Sequence, residues 1–275
     1  MNNQGNNSEE KQEGNLVNKE ENNIEYWTEA KVKRRTLIAF GIYAAAGATG
    51  IAGWKYFRAL PATNNGLSST ARSVLNFDEK ANNLIFGPHR LAPTYPKSMA
   101  VKEPRMNGNI GIEDDIDEAA WRLELVNPTT NQTLSLTLDD LKDLPKQEII
   151  FDFKCVEGWN EIVHYGGVKL SDLMQKYNLG MKTGSNEWYK YVGMETPNQE
   201  YYVGLDMKSA VHPQTLLCFE MNGEKLMVGH GAPLRLIIPL KYGVKNLKCI
   251  GKIFFADAPP RDYWHEQGYV YDVAL

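Results

Sequence analysis

Glu148-Ile149-Ile150-Phe151-Asp152-Phe153-Lys154-Cys155-Val156-Glu157-Gly158-Trp159-Asn160 is the stretch on which the fold turns. Residues 149 to 153 form a short apolar run of β-formers, which predicts a buried strand. The strand ends at Lys154-Cys155, and Glu157-Gly158-Trp159-Asn160 turns the chain. A thiol at the lip of a strand, beside a cation and a glycine turn, is placed to lose its proton. A thiolate is the ligand a soft metal prefers. A free cysteine is also a common space-filling core residue, so the strand alone leaves both readings open.

Cys155-Val156-Glu157-Gly158-Trp159 resembles the molybdenum-ligating segment of the sulfite-oxidase family of molybdopterin enzymes. The nearest likeness is to the branch that contains the catalytic subunit of the periplasmic methionine-sulfoxide reductase. Further segments agree in order and spacing, so that the resemblance spans about residues 120 to 255. It implies an α+β fold, a sulfite-oxidase-type molybdopterin-binding domain of mixed β-sheets with short helices. It also implies molybdenum-molybdopterin as cofactor, with Cys155 as the metal ligand and catalytic centre.

Working outward, 275 residues suffice for one sizeable core with tails. A net charge of −4 argues against nucleic acid as the main partner, which normally requires a basic face. Cys155, Cys218 and Cys249 are odd in number and widely spaced, so they form neither a zinc pattern nor a disulfide framework. No CxxCH haem-attachment motif occurs either.

Residues 1 to 33 are rich in Asn, Glu, Gln and Lys and are expected to form a disordered cytoplasmic tail. Lys31, Lys33, Arg34 and Arg35 then precede 19 uncharged residues, Thr36 to Trp54. As a helix that run is ~28 Å long, close to the hydrocarbon thickness of a bilayer. The preceding cations place the N-terminus on the cytoplasmic side. Residues 34 to 58 therefore read as one transmembrane helix, an uncleaved anchor in the inner membrane. Arg34-Arg35-Thr36-Leu37-Ile38 also resembles a twin-arginine export signal. Residues 59 to 92 read as a linker with weak helical character from Ser69 to Asn76, and residues 93 to 275 as the oxidoreductase domain, facing the periplasm.

Within that domain, strands are expected at Trp121–Val126, Leu134–Leu138, Trp188–Val192, Tyr201–Leu205 and Leu236–Leu240. Helical turns are expected at Asp139–Leu144, from Ser171 as N-cap to Tyr177, and at Met207–Ala210. Pro259 to Leu275, with Tyr263, Trp264, Tyr269 and Tyr271, reads as an aromatic tail packed on the core of a monomer.

From Leu226 to Ala256 there is no Asp or Glu, yet the interval holds Arg235, Lys241, Lys245, Lys248 and Lys252. Cations in glycine-containing loops at strand ends suit a pyrophosphate tail. A basic edge that discourages strand pairing is the structural alternative. The family resemblance implies cofactor contacts at His230 and Arg235 of Gly229-His230-Gly231-Ala232-Pro233-Leu234-Arg235. It implies further contacts at Asn246, Leu247 and Lys248, at Thr196, and at His89 and Arg90 in an N-terminal loop. Cys249 and His212 are read as structural, and Lys154 either as a cation that favours the Cys155 thiolate and draws in an oxyanion or as a solvated flank.

The implied activity is two-electron oxygen-atom transfer on a small substrate, with S-oxide or N-oxide reduction favoured. Sulfite oxidation by the same site, and a membrane-tethered binding domain without catalysis, are the alternatives, together with an unrelated lectin-like module. The chain shows no second redox motif, so electrons are expected to pass to or from a separate partner, a membrane b-type cytochrome.

Overall fold

The computed structural model describes residues 29–61, 69–85, 90–112, 116–128, 132–182 and 184–275. Residues 1–28 of the tail expected over 1–33, and the candidate His89, lie outside these residues, whereas residues 29–33 of that tail are helical. The chain divides into two compact units, Met1–Leu60 and Pro61–Leu275.

In the first unit helix α1 runs over Glu29–Ala59. It has the length and apolar composition to cross a membrane, and Lys33 pairs with Glu29 one turn back. The hydroxyls of Thr36 and Thr49 bond the carbonyls of Val32 and Ala45, four residues earlier. Both hydroxyls are thereby satisfied inside the helix, a requirement wherever water is absent.

The second unit contains α2, Ser69–Ile85, longer than the weakly helical stretch expected over Ser69–Asn76. Two five-stranded sheets follow. The first has the order β2-β1-β10-β5-β6, formed by β1 Leu123–Asn127, β2 Gln132–Leu136, β5 Tyr191–Glu195, β6 Tyr202–Asp206 and β10 Lys252–Ala256. All pairs are antiparallel except β1 with β10. The second sheet has the order β3-β4-β7-β8, formed by β3 Lys146–Lys154, β4 Asn160–Lys169, β7 Leu216–Met221 and β8 Glu224–Lys225, with β9 Arg235–Ile237 also on β7. The main core gathers residues of both sheets, among them Leu123, Leu125, Met194, Leu217 and Ile253, each essentially without exposure. Fully burying each such side chain contributes ~1.5–3 kcal/mol.

Short helices stop the strands where local chemistry favours them. The strand expected to end at Leu138 ends at Leu136, because Thr137 and Asp140 form a capping box that starts α3, Leu138–Lys142. Helix α4, Leu170–Lys176, starts one residue before Ser171, which was expected to cap it; its N-cap is Lys169, without a side-chain bond. The strand expected at Trp188–Val192 lies at Tyr191–Glu195. Asp206 caps α5, Met207–Ala210, as the expected turn. The apolar run expected at Leu236–Leu240 is a strand only to Ile237, since Pro239 has no N–H for a ladder.

The strand expected at 149–153 is the centre of β3, nine residues long. Its partner β4 is a strand the sequence pattern does not announce, for Gly166 and Gly167 interrupt it. Gly167 is required by close backbone approach: a Cβ there would lie 2.1 Å from the carbonyl oxygen of Leu217, where the register with β7 shifts. The β3–β4 hairpin closes between Lys154 and Asn160, which places Cys155 at the first position of the turn.

Candidate active site

The turn holds Cys155 by its backbone. Its N–H donates to the Trp159 carbonyl at 2.9 Å, and its carbonyl accepts from Gly158 N–H at 3.1 Å. The thiol is 8% exposed and lines a cavity of about 330 Å³. Tyr165, His230, Arg235, Asn246 and Lys248 line the same cavity. Residues about 90 positions apart in the chain therefore meet at one opening.

Around the thiol, Asn107 Nδ2 lies 3.8 Å from Cys155 Sγ and donates to Glu157 Oε2 at 3.2 Å. Trp159 Nε1 donates to the same carboxylate oxygen at 2.9 Å. The bonds from Trp159 and Asn107 hold the Glu157 carboxyl below the usual range. Trp159 stacks on Phe153 at 6.0 Å, and the Arg105 guanidinium sits 4.9 Å from the indole centre. Of the two readings of Lys154 the structure shows the solvated flank: it is half-exposed beside Asp152 at 3.5 Å and does not line the cavity.

The opposite wall is cationic. Arg235 leaves the start of β9 with 3% exposure and donates to Tyr165 Oη and to the His230 carbonyl, both at 2.8 Å. Its Nε is buried with no partner, and no carboxylate pairs with it among the described residues. Lys248 Nζ donates to the carbonyls of Asn107, Gly108 and Gly229 at 2.8, 2.9 and 2.8 Å. An ammonium has three donors, so all of them serve to clasp the 107–108 loop to the 229 turn. Burial, then the Arg235 charge, pushes the Lys248 ammonium down to about 8. Burial also pushes His230 down to about 4, with Arg235 and Lys248 adding to the effect, so the imidazole is neutral at pH 7. Gly231 makes the approach of Lys248 geometrically possible: its φ is +102°, and a Cβ there would lie 2.7 Å from Lys248 Cβ.

The remaining candidates fall in different places. Asn246 lines the cavity, but its amide is committed to the backbone, accepting from Ile238 N–H at 2.7 Å and donating to the Tyr242 carbonyl at 3.2 Å. Leu247 is a core residue whose carbonyl accepts from Leu236 N–H at 2.8 Å. Thr196 is buried outside the cavity lining, its hydroxyl bonded to Asn198 Oδ1 at 2.8 Å. Arg90 is exposed and donates to the Leu275 carbonyl at 3.1 Å, also outside the lining. His212 is structural, as expected: one ring nitrogen meets the Arg90 carbonyl at 3.0 Å and the other accepts from Gln214 N–H. Cys249 is buried, also as expected.

The acid-free interval supplies fewer cations to the cavity than its composition suggests. Lys241 is buried against Asp272, and Lys245 against Asp262, both acids coming from the C-terminal tail. Lys252 lies 3.7 Å from Glu195. The tail packs as expected, with Tyr263 against Tyr201 at 5.2 Å, and it also brings Trp264 and Tyr269 to the cavity. Tyr165, Asn107, Trp264 and Tyr269 carry no motif that marks them in the sequence, because only folding brings them to Cys155.

No cluster of three His, Cys, Asp or Glu that would hold a metal exists among the described residues. A metal at Cys155 must therefore arrive with most of its own ligands, which a pterin dithiolene provides. The cavity beside the thiol and the unpaired, buried Arg235 fit such a group with an anionic tail.

Residues 109–264 match the family described as oxidoreductase molybdopterin binding domain. The chain belongs to this family: it is a molybdenum-dependent oxidoreductase, and its cofactor is molybdenum-molybdopterin. It is 32% identical over 208 residues to a chain of Azospira oryzae that carries the provisional name protein-methionine-sulfoxide reductase subunit YedZ1, covering 75% of this chain and 76% of that one. It is 28% identical to the protein-methionine-sulfoxide reductase catalytic subunit MsrP of Campylobacter jejuni, over 70% of this chain and 68% of the relative. The MsrP of Ralstonia nicotianae is 29% identical over 85% of this chain and 71% of its own length.

Proposed function

We propose that this chain reduces S-oxides, with methionine sulfoxide in proteins as the favoured substrate class, and that Cys155 is the protein's ligand to the metal. The observation that carries the reading is the meeting of the Cys155 thiol and the unpaired Arg235 guanidinium on one cavity. The reductase names of the relatives support the substrate class.

The bound cofactor supplies two-electron oxygen-atom transfer at the metal. The chain's own residues hold and shield that chemistry. Cys155 presents its sulfur from a turn fixed at both backbone groups. Arg235 offers a charged fork to the anionic tail, and neutral His230 adds a ring that can accept or donate a hydrogen bond. Asn246, Leu247 and Lys248 contribute chiefly by shaping the wall, since their polar groups are already bonded to backbone. Thr196, and the loop at His89 and Arg90, are proposed as outlying supports of the cofactor-binding region. Glu157, ionised at neutral pH, orients the Trp159 indole and the Asn107 amide beside the thiol.

S-oxide reduction consumes two electrons and two protons and releases water, so electrons must be delivered. The proposed donor is a membrane b-type cytochrome. Helix α1 tethers the catalytic unit to the inner membrane on its periplasmic side, and the twin-arginine-like segment exports it folded. The proposed organisation is tail 1–33, anchor 34–58, linker 59–92 and catalytic domain 93–275.

The test is turnover by chain purified from a cofactor-competent host, with a low-potential dye as electron source. Reduction of protein-bound methionine sulfoxide, lost in Cys155→Ser, is expected. Molybdenum-loaded chain that oxidises sulfite but leaves every S-oxide untouched would overturn the substrate class.

A further inference from the structure

Tyr165 projects from β4, 2% exposed, into the cavity wall. Its oxygen accepts a hydrogen bond from Arg235 Nη1 at 2.8 Å, with the guanidinium carbon 4.8 Å from the ring centre. The phenol is neutral, because burial pushes it up to about 12 and outweighs the neighbouring Arg235 charge. A neutral phenol whose oxygen already accepts from arginine still has one O–H to donate. No protein acceptor for that proton occurs among the described residues. The same guanidinium carries the buried Nε–H without a partner. Two donors on adjoining buried side chains are costly unless an acceptor arrives.

We infer that Tyr165 is a cofactor-binding residue, whose hydroxyl donates to the anionic phosphate-bearing tail of the cofactor alongside Arg235. The inference rests on the cofactor occupying this cavity, and it adds a contact that the sequence motifs do not contain. The bond between the two side chains gives the hydroxyl a second effect. Arg235 is held in place before the anion enters, and less ordering remains to be done on binding. Polarisation by the guanidinium also makes the phenol a stronger donor than an isolated tyrosine.

The experiment compares full-length wild type with Tyr165→Phe, both produced in the same cofactor-competent host. Molybdenum per chain is measured by elemental analysis before and during prolonged dialysis, and cofactor-free chains are melted with and without inorganic pyrophosphate. The variant is expected to lose molybdenum about tenfold faster, the effect of one hydrogen bond to a charged acceptor. Its cofactor-free melting point should stay within about 2 °C of wild type, and pyrophosphate should raise it less. Equal molybdenum retention in the two chains overturns the inference. So does a cofactor-free variant that melts far below wild type, since the hydroxyl would then serve the fold alone. Molybdenum missing from wild type as well would overturn the cofactor's place in the cavity, and this contact with it.

Discussion

Two pairs of cations in one short interval have opposite surroundings. Lys241 and Lys245 are buried against Asp272 and Asp262 of the C-terminal tail. Arg235 is as deeply buried and Lys248 half-buried, and both line the cavity beside Cys155. Neither forms an ion pair with a carboxylate among the described residues, although Glu157 and Glu161 line the same cavity. The first pair fastens the chain to itself. The second forms no ion pair within the chain among the described residues, and Arg235 keeps a buried Nε–H without a partner, so an anionic ligand is the counter-charge it suits. Position in the sequence does not separate the two pairs; the counter-charge does.

The sharpest way to break this comparison is to exchange the expected consequences. Lys245→Met strands the Asp262 carboxylate in the core, so thermal unfolding of the cofactor-free chain should show a loss of roughly 3–5 kcal/mol, on the order of 10 °C in melting point. Adding Asp262→Asn should recover part of that loss, because an asparagine in that place removes the stranded charge and keeps the cap on helix α6, Tyr263–Glu266. Arg235→Gln should do the reverse. Cofactor affinity, read as molybdenum per chain over dialysis, should fall about 30- to 100-fold for a lost charge-assisted contact. Its cofactor-free melting point should hold or rise, because an unpaired buried charge has been removed.

His230 tests the same field through pH. Its folded-state pKa lies near 4, below the ordinary 6.5, so between those values the unfolded chain binds more protons than the folded one. Stability of the cofactor-free protein should therefore fall on acidification from pH 6.5 to 4 and be insensitive to this group above 6.5. His230→Asn should flatten that slope by on the order of 2 kcal/mol across the window, as chemical unfolding at a series of pH values would record. The smallest effect is expected at Lys154. Its exposed pair with Asp152 contributes about 0.5 kcal/mol or less, so Lys154→Ala should leave both stability and molybdenum content near wild type in the same assays.

Much of the site was legible because its chemistry is local in sequence. Cys155 follows a strand whose apolar run announces it, and the Gly229–Arg235 and Asn246–Lys248 segments carry the cations and glycines an anion requires. Strand β4 was not legible, because the glycines demanded by close packing on Leu217 erase the alternation that marks a strand. The fate of Lys241 and Lys245 was hidden for a different reason: their partners lie 31 and 17 residues further on, in an aromatic tail whose acids look solvated in one dimension. Tyr165 on β4 meets Arg235 on β9 only across β7, and Asn107 reaches the thiol from a loop about 50 residues upstream, so neither contact is local in sequence.

The cofactor-dependent expectations rest on one proposed bond, from the Cys155 sulfur to the metal. Molybdenum K-edge absorption on wild type and Cys155→Ser counts the sulfur neighbours of the metal directly. Loss of one sulfur scatterer in the variant is predicted; an identical sulfur count in the two proteins would contradict Cys155 as the ligand.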